Sequence, residues 1–228
     1  MKIILNTSTF FCEAKTFVTI GTFDGVHFGH QKIIERVVSE AKIAQKKSVA
    51  LTFFPHPRMV LQKDSSVKLI NTIDERSALL EKTGLDYLII HPFSKEFSRM
   101  TALEFVKDIL VNQLNISKLI IGYDHHFGKN REGNINQLTE YSDLYDFKLT
   151  EIPAQDIDEV FVSSTKIRNA LNAGDLKTAN HYLRYFFMLS GTVVNGEKLG
   201  GKIGYPTANI HIEETYKLIP KNGVYVVR

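Results

Sequence analysis

Cysteine, tryptophan and proline are scarce in this chain: one Cys, no Trp and 6 Pro among 228 residues. The lone Cys12 excludes an internal disulfide framework and fits a reducing compartment, so a cytoplasmic location is expected. No apolar run approaches the roughly 18–20 residues that span a bilayer. Asn6, Thr7 and Ser8 interrupt the amino end where a signal peptide would be continuously apolar. An excess of one charge is missing too, since 28 Lys+Arg face 25 Asp+Glu for a formal net charge of +3. A dedicated nucleic-acid binder would gather basic residues on a face or tail, so neither nucleic acid nor membrane is expected as a partner. A local basic pocket for a phosphorylated small molecule stays open. What the chain does have is a hydrophobic fraction of 43%, enough to bury a substantial core.

No fixed-period repeat and no low-complexity tract is present. Instead, short β-branched or aromatic runs alternate with helical patterns. Thr16–Phe23 reads as a strand, followed by an amphipathic stretch from His30 to about Lys46 whose apolar stripe is Ile33, Ile34, Val37, Val38 and Ala41. Ser48–Phe54, Leu85–His91, Lys118–Gly122 and Phe147–Ile152 read as further strands. Thr72 with Glu75, and Thr101 with Glu104, have capping-box spacing before apolar helical patterns. Strands separated by such helices predict a doubly wound parallel α/β sheet, which binds ligands beyond the carboxyl ends of its strands. After about Arg184 the pattern changes. Phe186–Val194, Tyr205–Ile210 and Val224–Val227 are strand candidates with no helix between them, which reads as the opening of an all-β unit. The expected division is 1–184 and 185–228.

Four loops at strand or helix ends carry chemistry. The first is GTFDGVHFGH, Gly21 to His30, where a strand ends and a helix begins. Gly21, Gly25 and Gly29 permit close backbone approach, the helix amino end offers free N–H groups, and His27 and His30 can donate to phosphate oxygens. A zinc site, or a turn with incidental histidines, is the alternative. The second is Ser163-Ser164-Thr165-Lys166-Ile167-Arg168, before a short helix ending at Gly174. Cations in a first turn oppose the helix dipole, and a bound polyphosphate would reverse that, with Arg168 gripping it bidentately and Ser164 and Thr165 donating. An ordinary Ser N-cap with solvated charges is the bland alternative. The third, Thr52 to Pro57, is aromatic and expected to be held extended by Pro55 and Pro57, a wall for a flat ring. In the fourth, Gly122 to Gly128, Asp124 can meet a ring N–H and Phe127 its face.

These segments, in this order and spacing, resemble the bifunctional riboflavin kinase/FAD synthetases of bacteria. Gly204-Tyr205-Pro206-Thr207-Ala208-Asn209 is similar to the PTAN signature of their kinase domain. The resemblance covers nearly the whole chain. It implies a nucleotidylyltransferase-type parallel α/β domain followed by a kinase β-barrel, with small-molecule substrates and a monomeric or weakly self-associating chain. It also implies transfer of AMP from ATP to FMN with Mg²⁺, giving FAD and pyrophosphate. By that resemblance His27 and His30 are catalytic at the α-phosphate, and Arg168 with Ser164 and Thr165 holds the departing phosphates. The loop residues Gly21, Phe23, Gly25 and Gly29 border ATP, and Pro55, Pro57, Asp124 and Phe127 border FMN. Thr207 and Asn209 match the kinase Mg²⁺ positions for riboflavin phosphorylation. Two departures stand out. Gly201 occupies a position where the family commonly has Arg, and residues 185–228 are fewer than the roughly 60 that a closed six-stranded barrel needs. A truncated kinase half is therefore expected, loosely ordered or paired at its edge with a neighbouring copy. Other nucleotidylyltransferases, acting on phosphopantetheine, nicotinate mononucleotide or glycerol phosphate, and a non-catalytic flavin-binding module are the competing readings.

Overall fold

Short runs of β-branched and aliphatic residues build the sheet, as their fit to a pleated, buried surface demands. In the computed structural model, which describes residues 1–62, 67–123, 125–153, 162–196, 204–205 and 207–227, these runs become β1 (Lys2–Ile4), β2 (Thr16–Ile20), β3 (Lys47–Phe54), β4 (Tyr87–Pro92), β5 (Ile116–Gly122) and β6 (Lys148–Ile152). They lie in the order β1-β4-β3-β2-β5-β6, and each neighbouring pair is parallel. The chain runs from β2 outward through β3 to β4, then crosses back to lay β5 on the other side of β2. The order reverses between β2 and β5, the switch point beyond whose carboxyl ends such sheets form their ligand crevice.

Helices cover both faces. On one side Val18, Ile20, Val49, Leu51, Leu119 and Ile121 pack with Phe105, Val106, Ile109 and Leu110. On the other, Ala50 and Leu88 meet Ile34 of α1 (Phe28–Ile43) and Leu80 of α3 (Ile73–Glu81). The alternation along each strand sends neighbouring residues to opposite faces. Between α1 and α3 stands the short α2 (Pro57–Leu61). Both capping boxes form: Thr72 Oγ1 accepts Glu75 N–H while Glu75 Oε2 accepts Thr72 N–H, and Thr101 pairs with Glu104 in the same reciprocal way. The second opens only the single turn α4 (Ala102–Glu104), after which Phe105–Gln113 winds with π-helical spacing. α5 (Ile135–Leu144), α6 (Ser164–Ala173) and α7 (Leu176–Leu183) are the further α-helices among the described residues. α6 stops at Gly174, whose φ of 81° is the left-handed cap that glycine adopts without strain.

Four expectations need correction. β1 carries only three residues, too few to show a period, and it extends the sheet beyond the five strands read from the sequence. β2 stops at Ile20 rather than Phe23, because Phe23 takes a φ of 48° and turns its ring into the core beside Val26 and Ile34. In the carboxyl segment Val224–Val227 forms no strand and lies exposed; the hairpin there consists of β7 (Thr192–Val194) and β8 (Asn209–His211). Loose order does not describe all of 185–228 either. Lys217 pairs with Leu69 in a parallel bridge, and Leu218 is buried among Ile70, Ile167, Leu171 and Leu183. The carboxyl segment at Lys217 pairs with Leu69 of the same chain rather than with a neighbouring copy.

Candidate functional site

The Gly21–His30 loop is shaped by backbone geometry before any side chain acts. Gly21 N–H closes onto Leu51 O at 3.1 Å, and φ is positive at Phe23, Gly25 and Val26. A Cβ on Gly25 would stand 2.9 Å from Ile70 Cδ1, so both its φ of 90° and its surroundings require glycine. His27 is the N-cap residue of α1 and its side chain makes no capping bond. The first helical turn therefore keeps unpaired N–H groups and a partial positive charge. His27 and His30, three apart, face the same way, and their rings stack at 3.6 Å with an interplanar angle of 19°. Burial, then the charges of His27 and Arg76, hold the His30 pKa well below the ordinary 6.5. His30 is thus a neutral imidazole near pH 7, and its buried Nδ1 has no hydrogen-bond partner among the described residues. Phe23, expected beside ATP, is 1% exposed, so its ring supports the edge of His30 at 5.4 Å instead of offering a surface to a ligand.

Asp24 organises what surrounds the histidines. Its buried carboxylate accepts the amides of Ile70 and Asn71 on Oδ1, at 2.9 and 3.3 Å, and Arg168 Nη2 on Oδ2 at 2.7 Å. Ser164 Oγ donates to Asp24 O at 2.8 Å. Those two bonds pull the amino end of α6 against the glycine loop, which brings Arg168 and Ser164 to the same crevice as the histidine loop. Ser163 is the N-cap, accepting Lys166 N–H, while Thr165 is exposed on the first turn. Arg168 Nε donates to Lys68 O at 3.1 Å, so its guanidinium is held on two sides. Asp24 and the wholly buried Arg76, whose Nη2 lies 3.8 Å from Asp24 Oδ1, are site residues that sequence reasoning missed. Asp24 stands inside the quoted motif. Its signal was a carboxylate between glycines in a loop otherwise suited to anions.

The loops assigned to a flat ring are arranged differently from their expected form. Phe54–Pro55 is cis, Pro55 is exposed, and Pro57 opens α2 rather than prolonging an extended segment, since proline suits a first helical turn. His56 is the N-cap, its Nδ1 accepting Arg58 N–H at 3.1 Å. Burial, with Arg76, Arg168 and Arg58 assisting against the opposing Asp24, lowers the His56 pKa to about 4. Asp124 lies outside the described residues. Phe127 is buried against Phe105 at 5.8 Å and roofed by Gly133, where a Cβ would meet its ring at 2.5 Å. Its ring is core, not an open face. Thr207 and Asn209 are both exposed, Asn209 on β8, while Gly201 and Pro206 lie outside the described residues. Among the described residues no group of three or more His, Cys, Asp or Glu could hold a metal ion.

A helix amino end and two stacked histidines at the switch point, faced by a Ser/Arg helix, suit the phosphates of a nucleotide. With the doubly wound sheet, this defines an α/β enzyme of the nucleotidylyltransferase type. A family model described as FAD synthetase matches residues 11–166, and one described as riboflavin kinase matches 183–228. A Listeria monocytogenes protein is 37% identical over 212 residues, covering 92% of this chain and 67% of that one. One from Buchnera aphidicola of Schizaphis graminum is 38% identical over 217 residues, covering 95% and 69%. Both are named bifunctional riboflavin kinase/FMN adenylyltransferase. A solved Streptococcus pneumoniae structure described as a macrolide-efflux protein superposes with a TM-score of 0.86 at 29% identity, covering 98% of this chain and 72% of that one. No helix among the described residues of the present chain is long and apolar enough to cross a membrane. The chain belongs to the FAD synthetase family, and it spans about two thirds of the length of those curated relatives.

Proposed function

We propose that this chain transfers the adenylyl group of ATP to FMN, releasing pyrophosphate and forming FAD. The observation that carries the reading is the convergence of stacked His27 and His30 on the α1 amino end with Arg168 and Ser164 of α6. An FMN phosphate oxygen attacks the α-phosphorus in line, the bond from that phosphorus to the bridging oxygen breaks, and pyrophosphate departs. No covalent protein nucleophile is needed, so catalysis is positioning and charge stabilisation. His27, His30 and the helix N–H groups, with Gly21, Gly25 and Gly29 giving backbone access, would donate to the α-phosphoryl oxygens as charge develops. Arg168, Ser164 and Thr165 would hold the departing phosphates. Pro55, Pro57 and Asp124 would border the flavin, with Phe127 acting only from beneath.

Mg²⁺ prefers to keep waters and substrate phosphates as ligands, and this chain's described residues build no carboxylate cage, so the ion would travel with ATP. When bound it would neutralise phosphate charge. Residues 1–184 would form the adenylyltransferase unit, and 185–228 the amino-terminal part of a riboflavin kinase unit. There Thr207 and Asn209 would face nucleotide-bound Mg²⁺. One Cys in the chain supports a cytoplasmic setting. Incubation with ATP, Mg²⁺ and FMN, followed by chromatography for FAD, tests the assignment. FAD and pyrophosphate in equal amounts are expected. Adenylylation of phosphopantetheine, nicotinate mononucleotide or glycerol phosphate in place of FMN would overturn it.

A further inference from the structure

We propose that Arg76 is a positioning residue that takes over Asp24 when Arg168 leaves it for the nucleotide phosphates. Arg76 is wholly buried, and its Nε, Nη1 and Nη2 make no hydrogen bond among the described residues. Its charged neighbour is Asp24, with Nη2 3.8 Å from Oδ1, an ion pair without direct contact. Arg168 already occupies the other oxygen at 2.7 Å and spends Nε on Lys68 O. Two guanidinium groups thus compete for one buried carboxylate, and only one of them, Arg168, reaches the crevice, its side chain 15% exposed.

The proposal rests on the reading that nucleotide phosphates bind at the amino end of α6. Arg168 commits Nε and one Nη2 hydrogen to the protein, and turning its planar fork fully onto the phosphates draws Nη2 away from Asp24. A buried carboxylate abandoned by its cation is strongly destabilising. Arg76 removes that obstacle, since an approach of roughly 1 Å turns the 3.8 Å separation into a normal charge-assisted hydrogen bond. The arriving phosphates also balance the second positive charge beside Asp24. Arg168 is the mobile member of the pair and Arg76 the reserve. Arg76 need never touch the substrate.

Calorimetric titration of ATP and of pyrophosphate into Arg76→Gln, Arg76→Lys and the double variant Arg76→Gln/Asp24→Asn separates this from a purely structural role. Arg76→Gln should weaken both ligands on the order of tenfold or more, as Arg168 stays committed to Asp24, with FMN KM little changed. Arg76→Lys should recover part of the loss. The double variant should recover more, because removing the carboxylate's charge frees Arg168. Pyrophosphate binding by Arg76→Gln at wild-type strength, or a folded double variant no better than the single one, overturns the proposal. If Arg76→Gln does not fold, Arg76→Lys decides: unchanged ATP and pyrophosphate affinities overturn it. A wild-type chain that binds neither ligand would instead overturn the adenylyl-transfer reading itself.

Discussion

Asp24 and Glu75 are both buried carboxylates facing a buried cation, yet they are satisfied in opposite ways. Glu75 is saturated. Its Oε2 accepts Thr72 N–H and Lys217 Nζ, its Oε1 accepts Ser190 N–H, and Lys217 Nζ also donates to Ile70 O. Every partner is fixed, and two of them come from the carboxyl segment. Asp24 is shared between a cation at 2.7 Å that reaches the crevice and one at 3.8 Å that does not. A saturated pair specifies one arrangement, whereas a shared one can exist in two, so Glu75 serves the fold and Asp24 the chemistry. The two are coupled through neighbouring atoms: Glu75 precedes Arg76 in the first turn of α3, and Ile70 gives its N–H to Asp24 and its carbonyl to Lys217.

The largest effect tests the saturated side. Lys217→Met should strip the cation from Glu75 and lower stability by about 3–5 kcal/mol, the range for breaking one half of a buried pair. Thermal melting should show a midpoint lower by roughly 10 °C for a chain of this size. An unchanged midpoint would mean that the carboxyl segment only rests on the amino unit.

A comparable effect is expected from pH on the side of Asp24. His56 has a pKa of about 4 when folded, against about 6.5 for an unfolded imidazole, so the unfolded chain takes up the proton first. Stability is complete above about pH 6.5 and falls as pH drops toward 4, by about 3 kcal/mol for this group. His56→Asn keeps an acceptor for the Arg58 amide and cannot titrate, so urea midpoints across that window should flatten. His30 and His91, lowered in the same direction by burial, leave a residual slope. Equal acid sensitivity in His56→Asn would remove His56 as a source.

Next comes catalysis. His30→Ala should reduce kcat on the order of 10²-fold, the loss typical of one oxyanion-type donor, with FMN binding little affected. Undiminished kcat in steady-state assays would take the histidine pair out of the mechanism and, with it, the functional half of the comparison.

What could be read in the sequence follows from the range of the forces involved. Local signals were legible. The capping boxes at Thr72 and Thr101, the glycine stop at Gly174 and the β-branched runs of the central strands depend on residues a few positions apart. The histidine loop and the Ser164–Arg168 turn stood out as candidates for the same reason. Asp24 and Arg76 did not, because their roles arise only when α3 and α6 converge on one loop, with Arg168 lying 144 positions after Asp24. That Phe127 and Phe23 turn their rings inward was not legible, because an aromatic ring in a loop looks the same in sequence whether it turns outward or inward. Lys217 carried no signal at all, since its counter-charge lies 142 residues away.

The smallest expected effect sharpens the distinction between a shared and a saturated carboxylate. Arg168→Lys retains the charge beside Asp24 but not the planar fork, and one ammonium cannot reproduce the paired contacts to Asp24 Oδ2 and Lys68 O. Because an ammonium still neutralises Asp24, the fold should be preserved and melting should change little. The difference should surface only when phosphates compete for the cation. A point charge grips them without bidentate geometry, so pyrophosphate and ATP should bind about tenfold more weakly, equivalent to about 1.4 kcal/mol. Competition binding with pyrophosphate measures this directly. Wild-type pyrophosphate affinity in Arg168→Lys would make Arg168 a second Lys217, a cation whose work ends with holding its carboxylate.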